Sequence, residues 1–459
     1  MSASKQAPEP GTSKSYGSGA RILSIGIAST GLLTFAYFSI ASHVLSASSA
    51  KAIDLLWSVM FVIISVIYRP IEQLLSRTIA ERRARGHAQH TLRVPMLIQG
   101  SFALVFLILA LILKEQLLNL FDQDEPLYWI LVVGTLAYAA SYFARGWLAG
   151  HQRFGLFGGL VLMESFSRVA FALAVALGIT SGQTAVALGI AAAPFVSLVV
   201  VPVAFARSST PHTHALDGPI TVDEADAALA GPGTEGVQEA AAHDDLSLRR
   251  GGYFAIWVSG IMLAEQALLN AAVLTVNATA RDAALAGIVF NILLIARAPL
   301  QLFQAIQTSL LPHLTGLEAT AGHEAFAHAI RVTVLAIVAF AGAVALGLLL
   351  IGPFVMEHIL FGQNYSYGRV GLAMIGVGMG LHLISGALNQ AALARDKAHA
   401  AAGCWILAAV VFVIWMLTPL VSEEVLRTEI GYAGATGLLA LALTILYRRG
   451  TAQLQSAAV

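Results

Sequence analysis

A small set of charged and amide side chains interrupts long apolar stretches of this chain, and these are the residues able to do chemistry. Glu164 and Arg168 lie four apart, on one face of a helix, where they can pair. Such a pair either neutralises itself structurally or leaves Arg168 as an anion site on a cavity. Glu265 stands beside Gln266, with Asn270 further on and no opposite charge close by in the sequence. A carboxylate so placed is a candidate to carry a proton or sodium ion for coupling, to meet a sugar hydroxyl, or to make an interhelical hydrogen bond. Asn291, Arg297, Gln301, Gln304 and Gln307 form a polar stripe. Amides of this kind suit the hydroxyls of a sugar in a water-filled cavity, or act as hydrogen-bonding glue between helices. Arg69 and Arg297 occupy similar places in two apolar blocks, where forked guanidinium hydrogen bonds could grip a diphosphate or simply snorkel to lipid headgroups. His382, Asn389 and Gln390 fall in one further block, His382 either as a hydrogen-bonded interior residue or as a proton relay.

Enzymatic patterns are missing from the sequence. There is no phosphate-binding Walker loop, no nucleophile elbow and no His/Asp/Glu cluster of metal-ligand spacing, so neither a metal nor a cofactor is expected. The lone cysteine, Cys404, rules out a disulfide or a thiol pair within one chain. Net charge is zero, which gives no broad basic face for nucleic acid.

The elements that must position these residues follow from composition. Of 459 residues, 57% are hydrophobic and 11% are charged, against roughly 25% charged in soluble domains. The apolar residues fall in blocks of about 18 or more, the length of a membrane-crossing helix. Twelve spans are predicted, near 22–42, 52–70, 92–113, 127–149, 157–178, 184–206, 253–275, 284–311, 329–352, 368–394, 400–420 and 430–447. Twenty Lys and Arg residues flank the spans on one side and five on the other, with Arg168 inside a span. Positive charge is retained on the cytoplasmic side, so both termini are expected there. Residues 1–20 read as a disordered N-terminus, 207–252 as a flexible cytoplasmic linker and 449–459 as a cytoplasmic tail. After the second span, Ile71, Leu74, Leu75, Thr78 and Ile79 form an apolar stripe among Arg77, Arg82, Arg83 and Arg85. The stripe predicts a helix lying on the cytoplasmic surface with its basic side toward anionic headgroups, or toward a lipid diphosphate.

A weak internal repeat divides the chain. Arg69-Pro70-Ile71-Glu72-Gln73 resembles Arg297-Ala298-Pro299-Leu300-Gln301, and Leu148 to Arg153 resembles Leu393 to Ala398. Both matches occur in order, so they place spans 1–6 (21–206) on spans 7–12 (253–448). The predicted fold is an all-α membrane protein of about twelve transmembrane helices, in two six-helix lobes related by a pseudo-two-fold axis along the membrane normal.

The phrases Arg297-Ala298-Pro299-Leu300-Gln301-Leu302-Phe303-Gln304 with Leu311-Pro312, Arg145-Gly146-Trp147-Leu148-Ala149-Gly150, and Ala387 to Arg395 resemble the polysaccharide-unit flippases of the multidrug/oligosaccharidyl-lipid/polysaccharide exporter superfamily. That resemblance implies a V-shaped pair of lobes that flips a polyprenyl-diphosphate-linked oligosaccharide from the cytoplasmic to the outer leaflet of a bacterial inner membrane. It implies coupling to proton or sodium gradients or to membrane potential. It also implies a cationic cavity, for which Arg168 and Arg297 are the candidate matches. Membrane lipids and cell-envelope polysaccharide synthesis enzymes are the other partners it suggests. Three readings compete: a peptidoglycan lipid-precursor flippase, an ion-coupled multidrug antiporter, and a non-transporting scaffold for glycan synthesis.

Overall fold

The computed structural model describes residues 29–34, 36–41, 43–85, 92–199, 248–279, 283–320, 322–360 and 367–457. The expected disordered N-terminus and nearly all of the 207–252 linker lie outside the described residues. The side chains of Asn291, Arg297, Gln301 and Gln304 lie outside them too.

The first lobe contains α1 (Ser29–Ala41), α2 (Ala47–Ile67), α3 (Arg69–Ala84), α4 (Arg93–Ile112), α5 (Lys114–Leu120), α6 (Glu125–Gly150), α7 (Phe154–Ala176) and α8 (Gln183–Ser197). The second contains α9 (Leu248–Thr279), α10 (Ala283–Thr320), α11 (Gly322–Phe354) with a π-helical turn at Val355–Leu360, α12 (Arg369–Ala394), α13 (Ala398–Leu417) and α14 (Glu424–Ala457). A helix stands at each of the twelve predicted spans. Nine helices among the described residues are long and apolar enough to cross a membrane. The linker ends earlier than predicted, because Leu248, Arg249 and Arg250 already belong to α9, and α14 carries helix into the expected tail.

Start signals are visible at the end opposite the arginines. Ser46 caps α2 by accepting from the Ser49 N–H, and Asp124 caps α6 by accepting from the Leu127 N–H. Large apolar side chains stand outward along α4 (Leu104, Val105, Ile108, Leu109, Ile112) and α11 (Leu335, Val338, Leu346, Leu350). Belts of this size need lipid around them rather than water.

The two lobes repeat one packing scheme. In the first, α3 lies on α6 and α7 on α8; in the second, α10 lies on α12 and α13 on α14. The turns after α6 and α12 share one geometry, with Gln152 and Asp396 in the left-handed region at φ 57° and 60°. The N–H of each donates three residues back, and the next N–H donates five residues back. Gln152 therefore corresponds to Asp396, one position earlier than the Lys397 with which the sequence match pairs it. Letter similarity of a short turn tolerates a one-residue slip that hydrogen bonding does not.

The largest correction concerns α3. Its apolar stripe is not laid on a membrane surface: Ile71, Leu74, Leu75 and Ile79 are all buried. The helix continues the second span after a break at Tyr68, where Pro70 begins the new helix, and it wedges between α6 of its own lobe and α9 and α10 of the other. An amphipathic stripe does not say whether lipid or protein covers it. What allows the wedge is a pair of small residues on α6. A β-carbon at Gly150 would stand 2.7 Å from Ile79 Cβ, and one at Gly146 would stand 2.9 Å from the Glu72 carbonyl oxygen. Small residues four apart let helix backbones approach in a membrane.

Gly150→Ala is therefore expected to cost about 1–3 kcal/mol through overpacking, lowering the apparent melting temperature in detergent. Gly159→Ala meets nothing within 4 Å and should leave it unchanged or raised. Equal behaviour of the two variants would contradict the close approach.

Candidate functional site

The polar residues of the first lobe gather on the inner faces of α6, α7 and α8. Tyr138, Ser141, Tyr142 and Arg145 recur at three- and four-residue spacing along α6 and so share one face. From α7 they meet Glu164, Ser165 and Arg168. The tight turn at 151–153 makes α6 and α7 antiparallel, so Arg145 stands level with Glu164 and Tyr138 level with Arg168.

The predicted Glu164–Arg168 pair is consequently absent. Glu164 instead accepts short hydrogen bonds from Arg145 and Ser141, and a longer one from Ser197 at 3.4 Å. Arg145 lies 4.4 Å over the Tyr142 ring. The sequence placed Arg145 among the face charges; it is an inward ion-pair residue. Arg168 donates to Ser165 Oγ at 2.8 Å, Tyr138 Oη at 3.2 Å and Thr34 Oγ1 at 3.5 Å, and stacks 4.6 Å over Trp57. Among the described residues no carboxylate reaches it within salt-bridge distance, and its Nε is buried without a partner. Hydroxyls and aromatic faces hold this guanidinium in place of a counter-charge.

In the second lobe Glu265 on α9 is buried, and His382 Nε2 on α12, 117 residues away (265 to 382), lies 3.9 Å from its Oε1. That separation is an ion pair only when the imidazole is protonated. His382 Nδ1 meets Tyr432 Oη at 3.2 Å, and its ring packs edge-on to Trp405 at 5.5 Å. Trp405 in turn donates to Asn389 Oδ1 at 3.2 Å. His382 Nε2 and Gln390 Oε1 are buried without hydrogen-bond partners. Asn270, grouped with Glu265 by sequence, turns its amide back on its own helix, donating to the Gln266 carbonyl and side chain.

Arg69 joins the two lobes. It begins α3, donates to Gln307 Oε1 of α10 at 3.4 Å, and is the cation whose field reaches Glu265. On its own lobe it shares Glu72, itself buried, with Arg145 as a charge neighbour. The seam thus brings together Arg69, Glu72, Arg145, Glu265 and Gln307. Arg168 and Glu164 sit deeper in the first lobe. Of the glutamine stripe only Gln307 is described at side-chain level; Arg297, Gln301 and Gln304 are placed on α10 by its backbone alone.

Sequence reasoning missed Glu72, Tyr138, Tyr142, Trp405 and Tyr432. The tyrosines on α6 carried a legible signal in their spacing with Arg145. Trp405 and Tyr432 carried none, because their roles arise from helices distant in sequence. Among the described residues, no group of three His, Cys, Asp or Glu side chains could hold a metal ion.

No protein-family model matches the chain, and no curated protein does. Solved structures match along almost its whole length. The MATE transporter VcmN of Vibrio cholerae, as a mutant, superposes with a TM-score of 0.73 at 14% identity, covering 96% of this chain and 98% of that one. A MOP superfamily transporter from Pyrococcus furiosus, described as having a binding pocket of reversed polarity that suggests a different function, gives 0.71 at 14%, covering 96% of each. A multidrug resistance MATE family transporter of the MOP superfamily, in an outward-facing conformation, gives 0.71 at 14%, covering 95% of this chain and 96% of that one. The chain therefore has the two-lobed, twelve-helix MATE fold.

Removing one partner from a buried ion pair costs about 3–5 kcal/mol, whereas replacing both with apolar groups is often neutral. Arg145→Met should thus sharply lower thermal stability in detergent, and Arg145→Met with Glu164→Met should recover most of it. A double variant as unstable as the single one would place Arg145 outside a structural pair.

Proposed function

We propose, with the MATE fold as premise, that this chain is a secondary transporter that flips a polyprenyl-diphosphate-linked oligosaccharide from the cytoplasmic to the outer leaflet of a bacterial inner membrane. The observation that carries the reading is the set of guanidinium groups on the inner side of the first lobe. Three guanidinium groups, Arg69, Arg145 and Arg168, stand there, and among the described residues Arg145 alone of the three is held in a salt bridge, while Arg69 and Arg168 donate to neutral groups. A buried guanidinium such as Arg168, with no carboxylate in salt-bridge reach among the described residues, is costly in a membrane unless an anion visits it. Guanidinium forks match the oxygens of a diphosphate.

Alternating access fits the same residues. The Arg69–Gln307 contact exists because the lobes are closed on each other along α3. Rocking the lobes apart at that end would release Arg69 toward a ligand. The excess of Lys and Arg at that end supports placing it, with both termini, on the cytoplasmic side. Glu265 with His382 is the proposed coupling site for a proton or sodium gradient or for membrane potential, since protonation of either group decides whether the pair is ionic. Membrane lipids surround the transporter, and cell-envelope polysaccharide synthesis enzymes would supply its substrate.

A second reading has an observation of its own. Glu265, His382, Trp405 and Tyr432 form an acidic and aromatic cluster, a composition that attracts organic cations. It favours an ion-coupled multidrug antiporter.

In a strain that depends on this chain, Arg69→Ala at unchanged protein level is expected to accumulate a polyprenyl-diphosphate glycan while the surface polymer falls at least tenfold. Lipid mass spectrometry reads the first and polymer staining the second. Normal lipids with raised sensitivity to cationic drugs would favour the antiporter. A peptidoglycan precursor as the accumulating lipid would mark the related flippase. Glycan display untouched by neutralising Arg69, Arg168 and Glu265 together would leave only the scaffold. Separately, Glu265→Gln is expected to make the residual transport insensitive to a protonophore and to sodium removal; unchanged sensitivity to both would take Glu265 out of coupling.

A further inference from the structure

A cleft opens at the arginine-rich end where α3 meets the second lobe. Its walls are Leu74, Arg77, Thr78, Glu81 and Arg82 from α3 and Arg85 just after it, with Arg250 and Phe254 from α9 and Asp396 from the turn after α12. It holds about 500 Å³, open mouth included. Four guanidinium groups and two carboxylates line it; Arg85 pairs with Glu81 at 2.9 Å, and Arg77 and Arg250 share Asp396.

Asp396 bridges the lobes inside it. Its Oδ1 accepts from Arg77 of the first lobe at 2.8 Å, and its Oδ2 accepts from Arg250 of the second at 2.9 Å. Burial pushes the Asp396 carboxyl up, but Arg77 and Arg250 outweigh burial and hold it below the usual carboxylate range. Arg77 is buried, stacked 5.2 Å over Phe254, and its Nε has no hydrogen-bond partner. The fork is thus held rigidly with one donor unused. Asp396 is 44% exposed at its side chain. The Asp396–Arg250 arm, 44% and 57% exposed, is worth on the order of 1 kcal/mol or less, so a stronger anion able to serve the buried Arg77 as well would displace Asp396.

We propose that this cleft binds a phosphate-bearing anion, which takes the two guanidinium groups of Arg77 and Arg250 from Asp396 and thereby loosens the lobe junction. Two forks from two lobes around one two-oxygen acceptor is a geometry that phosphate oxygens reproduce with more charge. Arg82 and Arg85 extend the positive field toward the mouth. The site is separate from the Arg69 seam, and its existence does not depend on the substrate proposed above. An anionic phospholipid headgroup and the diphosphate of a lipid-linked sugar share the chemistry.

The test uses the full chain in phosphatidylcholine nanodiscs with inorganic pyrophosphate as the probe, read by calorimetric titration. Wild type should bind, more weakly as salt rises. Arg77→Gln with Arg250→Gln should weaken binding at least tenfold. Asp396→Asn, which keeps a residue tolerant of the left-handed turn, should tighten it several-fold by removing the competing carboxylate. The opposite signs of the two variants separate a site from a folding defect. Adding phosphatidylglycerol to the nanodiscs identifies a headgroup as occupant if it displaces pyrophosphate, and adding a polyprenyl diphosphate identifies the lipid diphosphate if only that displaces it. Wild type that fails to bind, binding that the paired arginine variant retains, or an Asp396→Asn chain that binds more weakly would each overturn the proposal.

Discussion

Holding guanidinium groups among apolar helices, Arg168 buried and Arg69 and Arg145 partly so, is the constraint on which the rest of this molecule depends. Each must be matched by something other than water, and the structure shows three different solutions. Arg145 takes a carboxylate, Glu164, from the neighbouring helix. Arg168 takes hydroxyls and the face of Trp57. Arg69 reaches across to the amide of Gln307 in the other lobe. The first solution is self-contained and contributes to stability. Among the described residues the other two make no salt bridge, and those guanidinium groups are the basis of the transport reading.

The helix Arg69–Ala84 distributes these roles. Its entry residue sits on the seam, its apolar stripe packs between lobes, and its Arg77 reaches the Asp396 turn at the end. Close approach to Gly146 and Gly150 fixes it to α6, so it moves with the first lobe. Any rocking of the lobes must then slide α3 against α9 and α10, breaking polar contacts at both of its ends while its apolar stripe still covers the seam.

Much of this was legible in the sequence. Block lengths of apolar residues located twelve helices, and the Arg69 and Arg297 phrases located the two lobes. The individual pairings were not legible. Glu164 and Arg168 satisfy the spacing rule for a helical pair, yet the tight turn at 151–153 sets Arg145 opposite Glu164, and a partner on another helix wins. The stripe Ile71 to Ile79 announced an amphipathic helix but not the surface that covers it. Glu265 looked solitary because His382 is far along the chain, and only packing of α9 against the helices around α12 makes them neighbours. Spacing within a helix is a local property; the chemistry here is made between helices.

If an anionic lipid-linked sugar moves past the arginine-bearing seam, flipping by the purified chain measures it most directly. Reconstituted in proteoliposomes with a fluorescent polyprenyl-diphosphate oligosaccharide, the wild type should expose the label to an outside quencher at least tenfold faster than empty liposomes. It should do so only for the diphosphate-linked form, not for a neutral polyprenyl glycoside. A rate equal to empty liposomes under every imposed gradient, or equal acceleration of the neutral lipid, would contradict the account.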